Sequence, residues 1–177
     1  MKSHFILLRE QLAEKRDRSL LSRGKSDQTQ VLEGSLWYLS KSDSLEKLKG
    51  KTFTLHSYDY DGVVLETEPA NVDKLDDRDF HLLYALNNCK ERFKLFLDKQ
   101  WMSEAAQFRT GSYVYVVNVN ELPERVPAKI RYVGELMSRT GTWFGVELSA
   151  PTMVEVPLTA SSGATDTLHV LVTQECS

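Results

Sequence analysis

The residues of this 177-residue chain that could do nucleophilic chemistry are two cysteines and four histidines. A thiol nucleophile needs a base within hydrogen-bond reach and an electropositive, partly open setting. The sequence offers two pairings, Cys89 with His81 and Cys176 with His169. His81 and Cys89 stand eight positions apart on one expected helix. At about 1.5 Å of rise per residue they are too far apart along its axis to meet. His56 has no nucleophile or second ligand near it in the chain and reads as structural. No Cys-x-x-Cys or Cys/His cluster is present, so the sequence gives no metal site, and no cofactor is expected. Arg23-Gly24-Lys25-Ser26 has the ending of a phosphate-binding loop, but Ser19 occupies the place of the required earlier glycine. Without that backbone cradle the segment reads as a polar loop.

Binding chemistry is concentrated between Ala128 and Leu148, AKIRYVGELMSRTGTWFGVEL. Ile130, Tyr132 and Gly134 alternate with Lys129, Arg131 and Val133. After Arg139-Thr140-Gly141, a second alternation sets Phe144, Val146 and Leu148 against Trp143, Gly145 and Glu147. Period-two patterning bounded by glycines predicts two half-buried strands. Phe144, Val146 and Leu148 are expected in the core. Trp143, Lys129 and Arg131 are expected on the opposite, solvated face, where an aromatic surface and positive charge could hold an extended acidic peptide. Gly134 and Gly145 would let its backbone come close.

The run IRYVGEL…GTWFGVEL, followed by Ser149-Ala150-Pro151, resembles the first half of a CAP-Gly domain, a small glycine-rich β-fold. Upstream, LNNCKERFKLF at Leu86 to Phe96 is similar to the helix that precedes the first CAP-Gly domain in the cylindromatosis (CYLD) deubiquitinase family. The resemblance runs over roughly Leu75 to Pro151, weakens in the N-terminal third and stops after Pro151. It implies a non-catalytic interaction module from a CYLD-like deubiquitinase. Such a family removes polyubiquitin chains, linear ones among them, and restrains NF-κB signalling. Its CAP-Gly modules bind microtubules or acidic C-terminal tails. On that resemblance the peptide-binding residues are Lys129, Arg131, Gly134, Trp143 and Gly145. No catalytic residue is expected, because nothing here matches the Cys and His boxes of the family's thiol-protease domain. The family's Gly-Lys-Asn-Asp-Gly-type groove loop does not follow Pro151. Instead comes Thr152-Met153-Val154-Glu155-Val156-Pro157, and no Lys or Arg occurs after Arg139. Weak or no binding to acidic tails is therefore expected. Two other readings stand beside this one, a thiol enzyme in its own right and a poorly folded truncated product.

At 41% hydrophobic and 27% charged the composition is that of an ordinary soluble chain. A formal net charge of −3 gives no field for nucleic acid. No apolar run is long enough for a membrane span, and no leader pattern follows Met1. A cytoplasmic protein, cytoskeleton-associated through its partners, is the expectation.

The elements that must position these residues read as an α+β chain. Phe5 to Leu8 is a short apolar run. Thr52 to His56 and Val63 to Glu66 form a hairpin about the turn signal Asp59-Tyr60-Asp61-Gly62. Leu82, Leu86, Cys89, Phe93 and Phe96 recur at helical spacing and predict one long helix over 76–101, capped by Asp76, Asp77 and Asp79. Its stripe is expected to share a core with Phe5, Leu36, Trp37, Phe53, Leu55, Val63 and Leu65. Tyr113 to Val119 is a strand. The chain thus divides into an N-terminal α+β unit over 1–106, a partial SH3-like CAP-Gly barrel over 107–151, and a divergent tail over 152–177. The 152–163 segment is expected to be mobile. Unfinished strand edges in the barrel are expected to drive self-association. Two alternations, Val154-Val156-Leu158 and Leu168-Val170-Val172, could each add a strand, the first at an edge because of Pro157.

Overall fold

The computed structural model describes residues 2–15, 27–39, 52–117, 126–148, 157–160 and 169–172. The Gly-Lys-Ser segment and Cys176 lie outside them, as does most of the 152–163 segment. Seven strands form the first sheet: β1 (Ser3–Leu7), β2 (Gln11–Lys15), β3 (Asp27–Val31), β4 (Leu36–Leu39), β5 (Phe53–Ser57), β6 (Val63–Thr67) and β7 (Val72–Leu75). Their spatial order is β3-β2-β6-β5-β4-β1-β7, a curled half-barrel of antiparallel neighbours.

Alternation decides which residues face the sheet's interior. Phe5 and Leu7, Trp37 and Leu39, Phe53 and Leu55, and Val63 and Leu65 point inward and form one buried cluster with Ala13, Val31 and Val72. The expected hairpin is present, with Leu55 opposite Leu65. The Ser57 hydroxyl accepts from the amides of Asp59 and Tyr60, which fixes the first half of the turn.

Three short helices replace the single helix expected over 76–101. They are α1 (Asp77–Tyr84), α2 (Cys89–Leu97) and α3 (Lys99–Ala105). Each starts at a side-chain cap. Asp76 accepts from Asp79 N at 2.7 Å, Asn88 from Lys90 N and Glu91 N, and Asp98 from Trp101 N at 2.8 Å. Asn88 and Asp98 therefore restart the chain where apolar spacing alone suggested continuity.

The helices do not share a core with the sheet interior. Leu82, Leu83, Leu86, Leu95, Phe96 and Trp101 pack with Ile6, Leu36 and Leu75 from the outer face of the sheet, and with residues of the second β-unit. The predicted common core of Phe53 and Leu55 with Phe93 is thus corrected. The sheet separates the two clusters, and Phe93 is only partly buried.

The second unit is a closed barrel in the order β10-β12-β11-β8-β9. Its strands are β8 (Tyr113–Val117), β9 (Val126–Leu136), β10 (Arg139–Leu148), β11 (Pro157–Ala160) and β12 (His169–Val172). Strand β12 pairs parallel with β10, and β11 bridges β12 and β8. The edges of β8 and β10, expected to be open, are therefore paired within the chain, and the edge-driven route to self-association loses its basis there. Strand β11 is internal rather than an edge. Pro157 is tolerated because β8 reaches only Thr159 and Ala160, so no ladder bond to β8 is required at Pro157.

Two glycines set how closely the parts approach. Gly34, at φ 80°, lies where an added Cβ would fall 2.0 Å from the Cys89 carbonyl oxygen. Gly141, at φ 81°, lies where one would fall 2.3 Å from the Ala85 amide nitrogen. Neither backbone conformation nor space admits a side chain. The first glycine seats the β3–β4 turn on α2, and the second seats β10 on α1.

Candidate peptide-docking site

The five residues expected to bind a peptide all lie on β9 and β10, but the structure divides them. Lys129 and Arg131 are on the barrel's outer surface. Arg131 is spent on a short ion pair with Glu147 across the ladder. Lys129 keeps its ammonium 5.3 Å from the Tyr113 ring centre. Gly134 pairs with Trp143, and a Cβ there would meet the outer end of the Tyr132 ring, whose hydroxyl donates to the Glu135 carbonyl. Gly145 is buried opposite Tyr132.

Trp143 is the correction. It was expected on the solvated face, yet it is only 6% exposed. Its indole N–H donates to the Thr140 carbonyl at 2.8 Å, and the Arg139 guanidinium lies 5.1 Å from its ring. The cause is irregular pairing. The β9–β10 register shifts between Arg139 and Trp143 and again between Gly145 and Val146. Trp143, Phe144, Gly145 and Val146 are buried in succession, so alternation fails at this point. Phe144 and Val146 do occupy the core as expected, with Leu148 partly buried beside them.

The aromatic surface comes from β8 instead. Val114 and Val116 turn inward, so Tyr113 and Tyr115 turn outward and are 78% and 56% exposed. Their cross-strand partners are Lys129 and Pro127. Two exposed tyrosines beside a lysine and an exposed proline make a wall that an extended chain can lie against. The strand alternation of Tyr113 and Tyr115 was legible. Which face was outward became clear only from the inward valines.

The thiol chemistry weighed above finds no support around Cys89. Cys89 opens α2 and is half-buried. Burial pushes its thiol up, and the neighbouring Asp59 carboxylate adds to the effect. An activated nucleophile requires the reverse. His81 is oriented toward Glu135, with Nδ1 3.8 Å from the carboxylate. Among the described residues no group of three His, Cys, Asp or Glu could hold a metal ion. No helix among them is long and apolar enough to cross a membrane.

One functional anchor was missed altogether. Arg92 is 1% exposed, though a helical arginine is usually solvated. Its guanidinium forks onto Asp59, at 2.8 and 3.1 Å, and donates to the carbonyls of Gly34, Leu83 and Leu86. Asp59 also accepts from Leu36 N at 2.7 Å. One side chain thus fastens two sheet turns to buried carbonyls at and just beyond the C-terminal end of α1. Its partner lies 33 residues away, and no local pattern signals it.

A family model described as the CYLD SH3 domain matches residues 4–106. The chain belongs to that family. The match covers the first sheet and the helices, so SH3-type character takes in the N-terminal third, where the resemblance to the CAP-Gly region is weak. The model's description is SH3 rather than CAP-Gly. Ubiquitin carboxyl-terminal hydrolase CYLD of Bos taurus is 28% identical over 148 residues, covering 81% of this chain and 15% of that protein. Its counterpart of Homo sapiens is 33% identical over 88 residues, covering 48% of this chain and 9% of that protein. The chain therefore spans under a sixth of the curated relatives it matches. No solved structure matches it. The family model that matches is an SH3-type unit and not a protease domain, and this chain is a non-catalytic part of that family.

Proposed function

We propose that the chain is a protein-docking module acting within a CYLD-type ubiquitin hydrolase. Residues 1–106 form the SH3-type unit, the barrel begins at 107, and the 152–177 segment supplies its last strands. The barrel's outer face of Tyr113, Tyr115, Lys129 and Arg131 receives an extended acidic segment, such as a microtubule tail or a similar C-terminal tail. The observation that carries this reading is the pair of exposed tyrosines beside the Lys129 ammonium. Such a module would bring a catalytic domain elsewhere in the protein to polyubiquitin chains on cytoplasmic, cytoskeleton-associated partners, and so to NF-κB signalling.

Binding is weak, because the family's groove-loop motif does not follow Pro151 in the sequence, and Arg131 is already paired to Glu147. A peptide ending in Glu-Glu-Tyr, titrated against isotope-labelled chain by NMR, should bind with a dissociation constant above about 100 μM. Shifts should centre on Tyr113, Tyr115, Lys129 and Arg131, and Lys129→Glu should remove them. Shifts centred elsewhere, or none, would overturn the site. Low-micromolar binding would show that a second wall exists.

A further inference from the structure

A second surface has aromatic rings that the docking face above does not use. His4, Tyr38 and His56 stand side by side on β1, β4 and β5, on the sheet face opposite the interior core. The Tyr38 and Tyr58 ring centres are 4.9 Å apart, and those of Tyr58 and Tyr84 are 5.2 Å apart. Phe80 backs the last two at 4.9 and 5.0 Å. Tyr38, Tyr58 and Tyr84 are each partly exposed, so the row presents some ring surface to solvent. Beyond Tyr84 it opens into a cleft of about 610 Å³, walled by Tyr60, Asn87, Asn88 and Thr140 among others.

Two observations fix the chemistry of an occupant. The exposed Lys2 already lays its ammonium on the row, 4.0 Å from the Tyr38 ring centre and 5.7 Å from that of Tyr58. A tyrosine face attracts a cation through its quadrupole, and the attraction grows with desolvation. The rim charge also favours cations. Glu33 and Asp61 follow cleft residues Leu32 and Tyr60, and Asp77 lies 3.6 Å from His4. Arg92 at the cleft wall is committed to Asp59 and carbonyls; among the described residues, Lys90 and Arg139, next to the cleft residues Cys89 and Thr140, are exposed cations.

We infer that the Tyr38–Tyr58–Tyr84 row and the cleft beyond it dock an extended lysine- or arginine-bearing segment of a partner protein. One basic side chain takes the place on the rings that Lys2 now occupies, and the segment continues into the cleft. The site is separate from the acidic-tail face and carries the opposite preference.

Fluorescence anisotropy with a labelled ten-residue Lys/Arg/Gly peptide tests this against Gln and Glu versions of the same length. Only the basic peptide should bind at physiological salt. Lys2→Ala should tighten binding about two- to five-fold by freeing the rings. Lys15→Ala, the same charge change on β2, should leave it unaltered. Tyr38→Leu and Tyr84→Leu should each weaken it at least about five-fold, on the scale of a desolvated cation–π contact. Neither should move the NMR shifts that a Glu-Glu-Tyr peptide causes at Tyr113 and Lys129, so failure of one site is distinguishable from failure of the other. Equal tightening by Lys2→Ala and Lys15→Ala would show a diffuse charge effect and overturn the inference. So would no binding even to the Lys2→Ala chain, which would assign the row to the protein's own N-terminus. Lys2 is exposed, so its variant keeps the test sound even if a tyrosine variant misfolds.

Discussion

The sheet of β1–β7 fills its interior with its own side chains. Phe5, Trp37, Phe53, Leu55 and Leu65 come from four different strands and need no helix. The barrel of β8–β12 is built otherwise. Val116, Ala128, Ile130, Phe144 and Val146 pack in one cluster with Leu83, Leu86, Phe96 and Trp101 from the helices. A core filled by its own strands supports itself, whereas a shared one makes each contributor depend on the others. The barrel is thus mounted on α1 and α2, and those helices are mounted on the outer face of the first sheet. Only outward faces remain for partners, and both proposed docking surfaces lie there.

The largest expected effect tests that mounting. Arg92→Met removes one member of a buried ion pair, strips the guanidinium from Asp59 and three carbonyls, and leaves Asp59 with the Leu36 amide. Stranding a buried partner costs about 3–5 kcal/mol. Chemical denaturation should show a loss in that range. Single-tryptophan variants should show the Trp101 environment melting before that of Trp37. If the two melt together, the first sheet does not stand alone and the comparison fails.

Paired leucine deletions sharpen the same contrast. Leu55→Ala and Leu83→Ala each empty a fully buried site, at about 2–5 kcal/mol. Leu55→Ala should perturb amides of β1–β7 first, and Leu83→Ala those of α1, β9 and β10. Hydrogen exchange reads the difference. A deletion of either leucine that loosened both regions equally would show one core rather than two.

Gly141→Ala acts at the seat itself. A methyl group there meets the backbone of His81 and Ala85, at a φ that L residues seldom adopt. A cost of about 1–3 kcal/mol is expected for the strained conformation, with further loss from the overlap. Protection should fall in β10 and α1 and persist at Leu55. Intact packing of Trp143 and Ala85 in the variant would mean that the contact is not what positions the barrel.

Much of the first sheet was legible because its signals are local. The hairpin about Asp59 to Gly62 and the alternation of Phe53 and Leu55 follow from neighbouring residues alone. The helix breaks were half-legible. Asn88 and Asp98 are good capping residues, but the apolar spacing of Leu82, Leu86, Cys89 and Phe93 runs through the first break and masks it. Arg92 could not be read, because its burial depends on a carboxylate in a distant turn. Trp143 was misplaced because register shifts defeat alternation. At the candidate site, Lys129 and Arg131 were placed outward correctly. Their aromatic neighbours Tyr113 and Tyr115 were read only as strand residues, since which face of β8 is buried depends on where the helices pack.

The smallest effect concerns the contact between β1 and α1. The His4 ring stacks on Phe80 at 3.9 Å between centres, and its Nδ1 lies 3.0 Å from the Tyr58 hydroxyl. Burial lowers its pKa from 6.5; Lys2 and His81 act in the same direction, and Asp77 opposes them. The folded chain therefore binds this proton less readily than the unfolded chain. Above about pH 6.5 both states hold His4 neutral, and its packing contributes in full. As pH falls below 6.5 the unfolded state takes up the proton first, so stability declines until the folded ring is protonated too. The drop is expected to be smaller than any of the losses above. His4→Phe keeps the stack on Phe80 and has no proton to bind. Its melting temperature should vary less between pH 7 and pH 5 than that of the parent chain. An identical slope in the two proteins would mean that another group carries the pH dependence of the helix mounting.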